Sequence, residues 1–401
     1  MTKTSPLLFT LITIFLFAAQ CAAETYYVST NGNDRRSTHT ASHRQYPWRT
    51  IEHGVNQAQA GDQIVVLNGT YYEEVYFNRS GRQGAEIVLR SENREGARVI
   101  GSIGGNDVSY IRVDGFNVTN RRLNAIQDKG ITFNRCHHLV IRNNRVHNCR
   151  GGGISIDQSD SILIEWNIAH HNAYYNPDQH SGISVYQCQR RGGGTETFGV
   201  IIRNNTTYAN ENLVNNPRVG RPTDGNGIVV DDTLNLDPSG NGRSYGRLIL
   251  VESNLCFLNG GQGVHCYQST DVFIRNNTLF KNMKSFMFGG EVSVVASRDV
   301  LVYNNIMFAN DGRYANLEFQ SSNVWWDYNL IHNGGSLGAF NFYNTIYRDP
   351  LFAIGSLRPR SGSPAIDAGL NQQAGFRLDV DGRFRVAGGG IDIGANEYNG
   401  F

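Results

Sequence analysis

Residues 130–144 read GITFNRCHHLVIRNN, residues 153–167 read GISIDQSDSILIEWN, and residues 263–277 read GVHCYQSTDVFIRNN. In each stretch a glycine opens an apolar-x-apolar alternation, and an asparagine closes the unit 14 residues later, at Asn144, Asn167 and Asn277. Alternation with a period of two is the mark of a strand with one buried face. The same unit recurs with insertions from Gly182 to Asn205 and from Gly227 to Asn254, and Asn305 and Asn329 mark two more turns. A repeat of roughly twenty to thirty residues made of short strands signals a solenoid. One unit cannot bury its apolar face alone, so successive coils must stack.

The landmark asparagines fit tight corners, where a stacked side chain bonds backbone and tolerates left-handed geometry. The N-x-[ST] matches at Asn204, Asn205 and Asn276 fall inside this ladder and read as corner residues. Residues 1–23 read as a secretory signal, with Lys3 at its start, an apolar run from Leu7 to Ala19, and small residues before a cleavage site after Ala23. No later stretch is long and apolar enough to span a bilayer. The net charge of +1, with no basic tail, argues against nucleic acid as a partner. Beyond the leader stand five cysteines: Cys136, Cys149, Cys188, Cys256 and Cys266. That odd number, without metal-ligand spacing, is no disulfide framework; Cys266 takes an inward strand position, and one bridge among the others is open.

Toward the N-terminus the chain reads TYYVSTNGND (25–34) and then PWRTIEHGVNQAQAGDQIVVLNGTYYE (47–73). Thr50 is placed to N-cap a short amphipathic helix carrying Ile51, Val55 and Ala58, and Gln63–Leu67 to follow as a strand. A helix there would cover the open apolar end of the first coil. This N-terminal run resembles the first coil of secreted right-handed parallel β-helix proteins, among them the pectate lyases of polysaccharide lyase family nine. The motifs DPLF (349–352), SPAIDAG (363–369) and GGGIDIGANEY (388–398) resemble a C-terminal segment common on bacterial secreted β-helix proteins. The expected fold is therefore all-β, a right-handed parallel β-helix over 24–345 with an N-terminal capping helix, and an irregular C-terminal cap over 346–401. In that cap Asp379, Asp381 and Asp392 are expected to hold glycine-rich turns, with surface attachment or a second metal site as the alternatives. A secreted monomer is expected.

Insertions break the repeat on consecutive coils, giving four long loops near 172–179, 188–198, 211–223 and 233–246. Long loops on a rigid scaffold are where binding concentrates. They carry Tyr174, Tyr175, Arg190, Arg191, Arg218, Arg221, Arg243 and Tyr245; aromatic rings suit sugar faces, and the arginines suit carboxylates. After each glycine, positions one and three point inward, and positions two and four outward. The fourth-position column then reads Asn134, Asp157, Tyr186, Asp231, Tyr267, Val295, and the second reads Thr132, Ser155, Ser184, Val229, His265, Ser293. His180 and Asp224 precede the glycines of adjacent coils, and Asp232 follows Asp231. Asp157, His180, Tyr186, Asp224, Asp231, Asp232, His265 and Tyr267 are thus expected on one patch between the loops. Carboxylates gathered so closely raise one another's pKa or demand a cation.

The resemblance to pectate lyases implies β-elimination on an anionic, uronate-containing polysaccharide. Such chemistry needs the uronate carboxylate neutralised and a base supplied. Asp224, Asp231 and Asp232 are the candidate Ca²⁺ ligands. His180 and His265 are the acid–base candidates, with Tyr267 assisting. Asp157, Tyr186 and the arginines at 190, 191, 218, 221 and 243 are the candidate substrate contacts. The family's pattern is only partly matched: Asn235 stands where a further acid is expected, and no lysine occupies an outward column beside the cluster, Lys281 and Lys284 lying at a distant corner. Hydrolysis by an aspartate cluster, as in β-helix polygalacturonases, C5-epimerisation, and non-catalytic carbohydrate binding are the alternatives.

Overall fold

Each glycine-led repeat folds into one three-sided coil. The coil entered at Gly153, for example, runs through Ile154–Asp157, Asp160–Glu165 and Ile168–His170. Corresponding strands of successive coils pair in parallel, giving sheets of ten, twelve and eleven strands. The computed structural model describes residues 23–400 apart from 122–127, 178–179, 286–287, 339, 341 and 372–377. The expected leader lies outside the described residues but for its last one, Ala23. The architecture is an all-β right-handed parallel β-helix.

The alternation in the sequence is the alternation in space. Ile131, Phe133, Ile154, Ile183, Val185, Ile228, Val230, Val264 and Cys266 all point inward and are fully buried. Each buried aliphatic of this size contributes about 1.5–3 kcal/mol, and the coils supply them in continuous columns. The five cysteines are free, buried thiols, so no bridge staples the coils.

The asparagine ladder forms as read. Asn167 Oδ1 accepts from the Asn144 amide at 3.0 Å, Asn205 from Asn167, and the chain of bonds continues through Asn254, Asn277 and Asn305 to Asn329. Asn204, Asn205 and Asn276 are buried at this corner. A second ladder, which the sequence reading did not separate, runs through Asn172, Asn210, Asn259 and Asn282 at the next corner. It ends on Glu291, whose carboxylate accepts from the Asn282 amide at 2.9 Å. Glu291 is fully buried, and that burial pushes its pKa up to about 8.

The N-terminal helix α2, Ile51–Gln57, follows a four-residue helix α1, Thr38–Ala41, and is capped by Thr50, whose hydroxyl accepts from the His53 amide. Ile51, Gly54 and Val55 face Trp48 and the first coil, which closes that end of the core. At the other end Phe340 and Phe342 pack on Trp326. The C-terminal segment runs back along the outer side of the asparagine corner. Asn204 donates to the Asp379 carbonyl, Asn276 to that of Asp392 and Asn304 to that of Leu370. These corner asparagines have left-handed backbones that throw their amides outward, so they offer a row of donors to a passing strand. Asp379 accepts from the Asp381, Arg383 and Glu397 amides, and Asp392 from those of Asp367 and Tyr398. Both aspartates are thus turn-holders, and their oxygens are committed to backbone rather than to a metal.

Candidate active site

The ten-stranded sheet carries the site. Its register sets Asn134, Asp157, Tyr186, Asp231, Tyr267 and Val295 side by side, and likewise Thr132, Ser155, Ser184, Val229, His265 and Ser293. Both columns stand where the alternation put them. A cleft of about 290 Å³ opens over their middle. Ser155, Ser184 and Val229 of one column and Asp157, Tyr186 and Asp231 of the other line it, together with Lys129 and His180. Its rim comes from the inserted loops: Asn216, Pro217 and Arg218 from one, Asp237 from the other.

Charge inside the cleft is divided. Lys129 Nζ sits 3.2 Å from Asp157 Oδ2. Asp231 is half-buried in the cleft lining. Burial, then the negative charges of Asp224, Asp237, Asp232 and Asp157, drive its pKa well above the usual carboxylate range. His180 is enclosed beside Lys129; burial first and that positive charge second lower its pKa to about 3, leaving a neutral imidazole. Tyr186 OH donates to Asp237 Oδ2 at 3.0 Å and lies 3.2 Å from Ser239 Oγ. Burial raises the Tyr186 pKa, and the charges of Asp237 and Asp231 add to the effect, so the phenol keeps its proton.

Several residues expected in the patch lie elsewhere. Asp232 is fully buried beneath the cleft and accepts from the Leu236 amide at 2.7 Å, the Asp237 amide at 3.0 Å and Gln187 Nε2 at 2.9 Å. The reason is a left-handed backbone (φ 45°) directly after the strand, which ends the in-and-out alternation and turns the side chain under the loop. Gln158 and Gln187 hold the same corner on the preceding coils with φ 48° and 49° and bond each other at 3.1 Å, so Asp232 completes a Gln–Gln–Asp ladder. Asp224 also has a left-handed backbone (φ 60°) and bonds Asn226 Nδ2 at 2.9 Å; burial raises its pKa to about 6, and it acts on Asp231 only as a nearby charge. His265 lies one coil past Val229 and outside the cleft lining, its ring stacked on Tyr267 at 5.8 Å, with its pKa lowered to about 4 by burial.

Among the arginines, only Arg218 lines the cleft. Arg190 donates to the Tyr245 and Gly246 carbonyls and Arg191 to that of Gln158, so both fasten loops rather than face substrate. Arg221 and Arg243 are exposed on their loops outside the cleft lining. Tyr245 is buried, donating to Asp160. The three candidate calcium ligands do not converge. Asp224, Asp231 and Asp232 point to Asn226, the cleft and the loop root respectively. Among the described residues no group of three His, Cys, Asp or Glu side chains is arranged to hold a metal ion.

Two side chains of the cleft lining, Lys129 and Asp237, lie outside the columns that the sequence marks. Lys129 precedes the strand rather than lying on it, and its long stem carries the ammonium across to Asp157 on the next coil. Its position just before Gly130 is the available signal, the same kind of placement that marks His180 and Asp224. Asp237 reaches the cleft through the path of an inserted loop, for which no strand periodicity exists.

Residues 64–287 match the family model for the right-handed β-helix region. Among curated proteins, the uncharacterized protein YwoF of Bacillus subtilis (strain 168) is 32% identical over 75 residues, which make up 19% of this chain and 15% of that protein. The aligned stretch thus spans well under a fifth of that relative. Among solved structures, pectate lyase Pel9A superposes with a TM-score of 0.54 at 18% identity, covering 94% of this chain and 96% of that one. A rhamnogalacturonan lyase reaches 0.46 at 15% identity, over 75% of this chain and 87% of that one. At such identities the likeness is one of fold.

Proposed function

The chain belongs to the right-handed β-helix family, and on that scaffold we propose an exported enzyme that cleaves an anionic, uronate-containing polysaccharide by β-elimination. The observation that carries this reading is the cleft itself: two cations, Lys129 and Arg218, and a neutral imidazole, His180, share it with the protonation-prone Asp231 and the phenol of Tyr186. The fold likeness to pectate lyase Pel9A is consistent with it, and the apolar leader supports export.

Arg218, on an exposed rim, meets the uronate carboxylate. Lys129 stabilises the negative charge that develops as the proton next to that carboxylate leaves. His180 takes this proton from C5; the arriving carboxylate adds negative charge beside the imidazole and raises its basicity. The C4–O4 bond breaks as the C4–C5 double bond forms, and Asp231 delivers its proton to the leaving oxygen. Proton transfer from His180 to Asp231 through solvent restores the starting state. The residues present do not form a calcium cage, and no step is routed through one.

Hydrolysis is the second reading, and one observation favours it. Asp157, paired with Lys129, and Asp231, with its raised pKa, stand two coils apart, about 9.6 Å at ~4.8 Å per coil, near the upper end of the separation used by inverting glycosidases. Incubation with pectate, alginate and glycosaminoglycans separates the two. Elimination yields the ultraviolet absorbance of unsaturated uronates. New reducing ends without that absorbance mean hydrolysis, and neither signal on any polymer retires both.

A further inference from the structure

A second cavity, of about 450 Å³, lies around the corner from the cleft, against the loop that begins at residue 172. It is lined by Arg121, Asn148, Cys149, Arg150, His171, Tyr174 and Tyr175, with no carboxylate among them. Arg150 lies over the Tyr175 ring at 5.7 Å, and Tyr175 itself is 56% exposed. Arg121 donates to Asn148 Oδ1 at 2.5 Å, which fixes one guanidinium at the mouth. Tyr174 meets Tyr175 edge-on at 6.2 Å and donates its hydroxyl to the Ala209 carbonyl, so the aromatic wall is braced from behind. Burial lowers the His171 pKa, and the positive charges of Lys284 and Arg121 lower it further.

We propose that this pocket is an accessory binding site for an acidic sugar unit of the polymer handled in the cleft. Two arginines around one opening suit a carboxylate or sulfate, and an exposed tyrosine face beside them suits a pyranose ring. Cleft and pocket share one corner: the Gly151 amide, next to Arg150, donates to the Asp128 carbonyl at 2.9 Å, and Asp128 is followed by the cleft residue Lys129. A polymer leaving the cleft past Lys129 therefore meets the pocket next, and holding it at two points raises overall affinity without a new contact in the cleft. The identity of the polymer rests on the proposed function; the pairing of two arginines with an exposed tyrosine does not.

Native-gel affinity electrophoresis of the full chain, in gels containing polygalacturonate, alginate or chondroitin sulfate, tests this. Wild type and Asp231→Asn should be retarded by one of these polymers. Arg121→Ala/Arg150→Ala and, separately, Tyr175→Ala should need roughly tenfold more polymer for equal retardation. These are surface changes, and unchanged thermal melting confirms that the variants fold. Retardation of both pocket variants equal to wild type overturns the accessory site. If wild type consumes a polymer while the pocket variants keep its KM, the site fails and the proposed function stands. If retardation depends on the arginines but no polymer is consumed, the site stands and the proposed function fails. No retardation and no turnover with any polymer overturns both.

Discussion

Replacing Asp232 by alanine should weaken the proposed activity without touching the reacting groups. The carboxylate is fully buried and accepts three hydrogen bonds, two of them from the Leu236 and Asp237 amides at the root of the 233–246 loop. Hydrogen bonds to a charged acceptor contribute about 1.5–3 kcal/mol each, so the loop loses on the order of 5 kcal/mol of local stabilisation. Because the donors lie at one root and the coils above and below keep their own ladders, the loss falls on opening of the loop rather than on global unfolding. At about 1.4 kcal/mol per factor of ten, exchange of the Leu236 and Asp237 amides should accelerate by a hundredfold or more. Asp237, freed from its place, no longer holds Tyr186, and kcat/KM should fall by about ten- to a hundredfold through misplacement. Hydrogen exchange read by mass spectrometry over the loop, alongside polymer turnover, is the assay. Asp231→Ala is the counterpart: turnover lost, loop exchange unchanged. Wild-type exchange at the loop root in Asp232→Ala would refute the anchoring role and return Asp232 to the cleft.

Two further outcomes are expected. Lys129→Met keeps the stem and removes the charge beside Asp157, so kcat should fall by about a hundredfold or more, while the melting temperature barely moves, since a partly exposed pair contributes only about 0–1 kcal/mol; unchanged kcat would remove Lys129 from the reaction. Glu291 titrates near 4.5 in the unfolded chain and near 8 when folded, so between those values the folded chain holds a proton that the unfolded chain has released. Its contribution therefore lowers stability as pH rises through that window, by at most about 5 kcal/mol. Urea unfolding at about pH 5 and about pH 8 should show that loss in wild type and a much smaller one in Glu291→Gln; equal slopes in both proteins would contradict the buried-carboxyl account.

How far the site could be read from the sequence followed the strands. Asp157, Tyr186, Asp231 and Tyr267 share a column because each lies four residues after its glycine, and a parallel ladder keeps that count from coil to coil. His180 came with the same landmark. Asp232 was misplaced because the residue after the strand takes a left-handed turn. The glutamines at 158 and 187 in the same position were the overlooked sign of a corner ladder. Arg190 and Arg191 were misread because charge on a loop does not say which way the loop packs.

The sequence by itself determined the solenoid, its core, its asparagine corner and the two outward columns over which the cleft opens. All of these repeat with the coil, and local alternation plus stacking fixes them. Only the tertiary structure decided that the three aspartates point apart, that Lys129 and Asp237 enter the cleft, and that the C-terminal segment runs along the asparagine corner. Those outcomes depend on long side chains and inserted loops meeting partners on other coils, as Lys129 meets Asp157 and Tyr186 meets Asp237. Contacts of that kind are set by where the chain travels in space, and strand periodicity carries no record of it.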